Sequence, residues 1–464
     1  DRFGRLADDA IAGARRAADA LPDSPEARRL LGRAASLRGD HRDAESAFRA
    51  AIRLDPADAR SRLDLARTRL VEAFLGRSEA VNASYADAGV AALLELIGDR
   101  ADLSPADRAL ADAMRLQALD RPADALRAVE SSLAELGPEP GVEDLLWLRS
   151  LLLEPVEERL ASLARALALA PNHALALHSR GVLRFGRGDL DRAIADYTLA
   201  LRIHPRLPAA LNNRGACWFA RRDFDRALAD LDAAVALDPG AAVRHANRGT
   251  ILLERGDAAA ALRDFDAALE RDPGLDGARL QRGKLRLLGG QLDAALEDYD
   301  ALLARQPGWA AAWSDRAAVW IAKGDSARAL DDFANALRLD PQMAGTYFNR
   351  GTLHHTLGDH DLALIDLDTA IRLDPGNAPA RRQRANTRFV KGDLEGALAD
   401  LDEALRIQPT FVEALHERGC VRYHLGRTAA GIADVERALD LARPDWVQRP
   451  QALDDLERMR RSDR

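Results

Sequence analysis

The 464-residue chain holds four groupings that could carry chemistry, and each lacks the spacing its chemistry needs. His41-Arg42-Asp43 opens like a kinase catalytic loop. That loop needs Asn five residues after the Asp to hold a metal ion, and Phe48 stands there. Gly277 and Gly283-Lys284 approach a phosphate-binding loop, but five residues separate the glycines instead of four. Leu285 also replaces the hydroxyl that would bind magnesium. His354, His355 and His360 cluster near one turn without a further donor at helical spacing to complete a zinc set. Cys217 and Cys420 stand far apart in the chain and suggest neither a disulfide framework nor a metal site. There is no G-x-S-x-G and no H-E-x-x-H. No catalytic residue, metal or cofactor is expected.

Two other series have binding chemistry and strict spacing. Arg recurs at a constant step, at Arg180, Arg214, Arg248, Arg282, Arg316, Arg350, Arg384 and Arg418. Asp follows each Arg at a constant offset, as in Asp230, Asp264 and Asp298. The planar guanidinium fork offers five donors. Each Arg is therefore expected to bridge its own Asp and that of the preceding unit, as Arg282 would bridge Asp298 and Asp264, making a structural ladder. The residue before each Arg forms the second series: Ser179, Asn213, Asn247, Gln281, Asp315, Asn349, Gln383 and Glu417. Five of these eight are amides, which offer both a donor and an acceptor. Placed one per unit, they suit the backbone of an extended peptide. Aromatics follow about one helical turn later at Phe185, Phe219, Phe389 and Tyr423. They would supply pockets for apolar side chains.

The elements that must position these rows share the same step. Prolines fall at Pro171, Pro205, Pro239, Pro273, Pro307, Pro341, Pro375 and Pro409, evenly spaced throughout. Small residues recur at Gly181 and its equivalents, and again at Ala193 and its equivalents. A large apolar residue follows four later, as at Tyr197, Phe265 and Phe333. A Gly-Asp turn signal lies between the small residues, as at Gly188-Asp189. Each unit reads as helix, tight turn, helix and a Pro-marked break. One helix pair cannot bury its apolar face alone, so neighbours must stack.

This pattern resembles the tetratricopeptide repeat family, closely over residues 174–443 and more loosely over 1–173. The resemblance implies an all-α, right-handed superhelical solenoid of antiparallel helix pairs, with first helices lining a concave groove. It also implies that the amide row faces that groove. The family's dicarboxylate clamp needs a basic residue and Asn one turn apart. Arg382 and Asn386 match that part, but the next unit offers Glu413 and Glu417, which would repel a carboxylate.

The boundaries follow. Residues 1–173 form a divergent sub-array with a partial first unit and an inserted loop near Gly76–Asp87. Leu31 and Leu146 stand there in place of Arg, and the unit ending at Pro171 has a shortened turn. Eight regular units fill 174–443, and residues 444–464 form a capping helix. The count is one partial unit, twelve units and a cap. The chain starts at Asp1, as a fragment or processed product would.

Apolar residues make up 47% and aromatics 5%, and roughly a fifth of the chain is Ala, a mixture for close-packed helices. A net charge of -8 argues against a broad nucleic-acid footprint, and no apolar run is long enough to span a membrane. The three lysines, against 66 basic residues in all, suggest GC-rich bacterial coding. The expected function is a non-catalytic cytoplasmic scaffold that binds protein or extended peptide. The alternative is a regulatory or sensory arm of a larger enzyme, such as a bacterial Ser/Thr kinase.

Overall fold

The computed structural model describes residues 2–38, 40–76, 94 and 103–462. The loop expected near Gly76–Asp87 lies beyond helix Ala59–Gly76, outside the described residues. Every regular element among the described residues is a helix, and none of these is long and apolar enough to cross a membrane. The chain divides into two compact units, residues 1–278 and 279–464. That division falls inside the regular repeats. The change in repeat pattern near residue 173 leaves the packing continuous, because one apolar core runs from Ala59 to Ala234.

Local chemistry makes each hairpin. In the pair Ala174–Gly186 and Leu190–Ile203, Gly188 ends the first helix in the left-handed region, at φ 77°. Asp189 then caps the second by accepting from the Arg192 amide. Asp223, Asp257, Asp325 and Asp393 cap their helices in the same way. At the breaks between hairpins, Asp272, Asp340 and Asp374 precede Pro and accept from the amide two residues on. Such local side-chain bonds favour a turn over further helix.

Small residues set the helix separation. A Cβ on Gly181 would lie 2.7 Å from the Tyr197 ring, so the close approach requires glycine. Tyr197, Phe265, Tyr299 and Phe333 fill the spaces between paired helices and are fully buried. In the hairpin Val142–Leu152 and Val156–Leu169, the connection keeps the regular three residues. Its shortening lies in the first helix, which has 11 residues, and not in the turn.

All eight repeated arginines make a forked pair with the Asp 16 residues later, from Arg180–Asp196 to Arg418–Asp434. In the second, Arg214 donates from Nε and Nη2 to Asp230 at 2.8 and 2.7 Å. The arm towards the preceding hairpin differs from expectation. Arg248 Nη1 donates to Asp232 at 2.8 Å, and not to the core carboxylate of Asp230. Arg384 and Arg418 reach Asp368 and Asp402 likewise. Each core carboxylate already has both oxygens committed to its own Arg, so Nη1 meets the more exposed carboxylate two residues on.

Within the expected capping segment 444–464, the last helix runs from Arg449 to Ser462. It buries Ala452, Leu456 and Met459 against Val435 and Leu439.

Candidate functional site

In residues 1–278, the amide row becomes a hydrogen-bonded relay. Asn247 donates to the Asn212 side-chain oxygen at 2.8 Å. Asn212 donates to Asn213 at 3.1 Å, and Asn213 donates to His178 Nε2 at 3.2 Å. Asn212 and His178 are buried, whereas Asn213 and Asn247 are half-buried. Burial lowers the His178 imidazole to about 4, which keeps it neutral and able to accept from Asn213. The relay uses one N–H of each amide. A cavity of about 250 Å³ opens over the row. Phe185, Phe219, Val182 and Ile251 form its apolar wall, and Asn213 and Asn247 its polar one. Phe185, at 38% exposure, stands at its edge. The repeat pattern does not single out Asn212 or His178, which stand just before Asn213 and Ser179.

In residues 279–464 the row breaks up. Gln281 is half-buried and Asn349 is exposed. Gln383 is only 9% exposed and so departs from the accessible row expected. Thr387, fully buried one turn later on the same helix, bonds back to the Gln383 carbonyl. Phe389 packs into the cluster of Leu401 and Leu405, and Tyr423 into that of Val435. Both aromatics are partly buried there.

Arg382 and Asn386 do come together, around a carboxylate of this chain. Arg382 Nη1 and Asn386 Nδ2 donate to Glu417 Oε1 at 2.5 and 3.0 Å. Phe411 lies under the Arg382 guanidinium, 5.7 Å from ring centroid to Cζ. The acid expected to repel an incoming carboxylate is the one these two residues hold. Burial raises the Glu417 carboxyl, and Arg382 and Asn386 oppose that shift.

A further polar cluster lies among residues 33–207, built from side chains that no motif of the sequence singles out. Arg33 makes a forked pair with Asp64 at 2.6 and 3.2 Å. Asp144 pairs with Arg67 and, at 3.0 Å, with His173 Nε2. His173 Nδ1 accepts from the Ala176 amide, so the ring proton sits on Nε2 and points at Asp144. Although burial opposes it, Arg67 and His173 hold the Asp144 carboxyl well below the usual carboxylate range. Arg33, Asp64, Arg67 and Asp144, with Ser36, Thr68 and Asp107, bound a cleft of about 640 Å³ among the described residues. The pairs span 31, 77 and 29 residues, so no repeat step announces them.

The two cysteines differ in their surroundings. Cys217 is buried in the core, where burial pushes its thiol up to about 12. Cys420 instead meets His416 and Asp455. The His-x-x-x-Cys spacing is visible in the sequence, but the third donor comes from the last helix, 35 residues beyond Cys420.

The tetratricopeptide repeat family model matches residues 2–59, 160–208, 181–242, 246–310, 280–344 and 321–378. No curated protein matches the chain. Among solved structures, the Cut9-Hcn1 hetero-tetramer of the APC/C is similar at 17% identity and a TM-score of 0.46, covering 98% of this chain and 93% of that one. Yeast Tom70 is similar at 19% identity and a TM-score of 0.42, covering 99% and 93%. YrrB, described as having an unusual peptide-binding site, is 22% identical with a TM-score of 0.36, covering 40% of this chain and 95% of its own. With its repeat step, its stacked helix pairs and family matches over more than half its length, the chain belongs to the tetratricopeptide repeat family.

Proposed function

We propose that this chain is a non-catalytic scaffold that holds an extended peptide on its first-helix face, in the groove that the family resemblance implies. The carrying observation is the cavity where Asn213 and Asn247 meet Phe185 and Phe219. Amides at successive repeats suit the peptide backbone, and the apolar wall suits a side chain between them. The buried relay through Asn212 and His178 orients both amides before any ligand arrives, which lowers the ordering cost of binding. Arg382 and Asn386 are engaged by Glu417, so the proposal centres on residues 178–251.

Peptide arrays probed with the whole chain would supply a ligand. The double variant Asn213→Ala and Asn247→Ala should then bind it about 5- to 150-fold more weakly, for two lost hydrogen bonds at about 0.5–1.5 kcal/mol each. Helicity should be unchanged. Equal affinity of the double variant and the parent would overturn the reading.

A further inference from the structure

Among the described residues of 279–464, five of the six buried aspartates face ladder arginines. Asp455 is the sixth, and its inward partners are an imidazole and a thiol. Asp455 Oδ2 lies 3.0 Å from His416 Nε2 and 3.7 Å from Cys420 Sγ. The three donor atoms all lie within 4.8 Å of one another. His416 and Cys420 stand one turn apart on helix Val412–His424, and Asp455 reaches them from helix Arg449–Ser462.

The geometry points to a divalent metal site here, for a borderline-soft ion of the zinc class, that locks the last helix onto the array. Zinc takes nitrogen, thiolate and carboxylate at about 2.0–2.3 Å, so tetrahedral donors sit roughly 3.3–3.8 Å apart. The distances from Asp455 to His416 and Cys420 already fall in or near that range. The remaining pair, His416 and Cys420, needs a closing movement of at most about 1 Å to reach it. Three protein donors leave a fourth position for water.

The surroundings support the donors. Arg458 engages Asp455 through Oδ1 at 3.3 Å, which leaves Oδ2 to the cluster. Gln451 donates to both oxygens of this carboxylate, at 3.5 Å to Oδ1 and 3.4 Å to Oδ2. Trp446 packs edge-on against the His416 ring at 5.8 Å and itself donates to Glu413. Such outer contacts fix ligand orientation. Binding forms the metal–sulfur, metal–nitrogen and metal–oxygen bonds. It releases the Cys420 thiol proton to solvent, while neutral His416 binds through Nε2 with its proton on Nδ1.

Titration of the whole chain with Co²⁺ tests this. A thiolate-to-cobalt charge-transfer band should saturate at one ion per chain, and Zn²⁺ should abolish it. Cys217→Ser should keep the band and Cys420→Ser should lose it. Asp455→Asn should weaken binding about tenfold or more. Alkylation of Cys420 in the parent chain, read by mass spectrometry, is independent of how any variant folds, and Zn²⁺ should slow it markedly. No band at tenfold excess Co²⁺, a band that survives Cys420→Ser, or alkylation indifferent to Zn²⁺ would each overturn the site.

Discussion

Arg214 reaches Asp230 16 residues along the chain, whereas Arg67 reaches Asp144 77 residues away. The first contact belongs to a rung made eight times between residues 174 and 443, and the second occurs once, before them. In the regular hairpins, each core aspartate is neutralised by the Arg of its own unit, and each ladder Arg adds at most one arm to its neighbour. In the earlier region, Arg33–Asp64 and Arg67–Asp144–His173 tie together helices that are distant in sequence. Repetition thus yields local stability that a unit can lose alone. Irregularity yields cross-braces whose loss is felt over several helices.

The largest test removes one carboxylate from each region. Asp298 is 1% exposed and accepts from both Arg282 and Arg286. Asp298→Ala should cost about 3–5 kcal/mol, because it leaves desolvated guanidinium groups without their anion. Amide hydrogen exchange should quicken mainly in helices Asp276–Leu288 and Leu292–Arg305. Asp144→Ala, in a more accessible pair, should cost less in total. It should quicken exchange in three separate helices, Ala59–Gly76, Val142–Leu152 and Ala174–Gly186. Equally confined effects from the two substitutions would break the comparison.

A smaller effect tests the junction of the two regions through pH. His178 ionises near 6.5 when unfolded and, buried, near 4 when folded. Between those values the unfolded chain binds the extra proton, so stability rises with pH there. As pH falls from about 6.5 to 4 the protein should lose up to about 3 kcal/mol from this group alone. Protonation would also turn the acceptor of Asn213 into a donor, so peptide affinity should fall in the same window. His178→Gln, which still accepts a hydrogen bond, should flatten both profiles. Urea denaturation at a series of pH values checks the first, and binding titrations the second.

The same contrast decides what could be read from the sequence. Gly181 and Tyr197 were legible because the constant step repeats them, and the constant Arg–Asp offset gave the first partner of each Arg. The same offset gave the wrong second partner, since it does not show which carboxylate still has an oxygen to offer. Asn213 and Asn247 were legible as a row, but the buried amide Asn212 that joins them was not, because adjacent units lack it. Glu417 was seen as a charge repelling ligands; its closure on Arg382 and Asn386 depends on side-chain reach between hairpins. The Asp144 and Asp455 clusters depend on tertiary neighbours that no period connects.

The smallest effect concerns one turn. Glycine takes the left-handed position between paired helices at Gly188, Gly256, Gly290, Gly324, Gly358, Gly392 and Gly426, with φ from 72° to 91°. In the hairpin Pro208–Ala220 and Phe224–Leu237 that position is Arg222, at φ 60°. A side chain there costs roughly 1–2 kcal/mol relative to the right-handed region. Arg222 recovers part of this through its guanidinium, 5.4 Å from the Phe224 ring centroid, a contact worth about 0.5–1 kcal/mol when exposed. Comparing Arg222→Gly with the parent would therefore mix two opposing effects. Comparing it with Arg222→Ala isolates the backbone, since both substitutions remove the guanidinium. The glycine variant should be the more stable by about 0.5–1 kcal/mol, once glycine's larger unfolded-state entropy is subtracted. One residue earlier the order should reverse. Arg221 has φ -84°, an ordinary value, so Arg221→Ala should exceed Arg221→Gly by a similar amount. Thermal unfolding of the four variants reads both differences, and the same order at both positions would show that the left-handed turn does not set the cost.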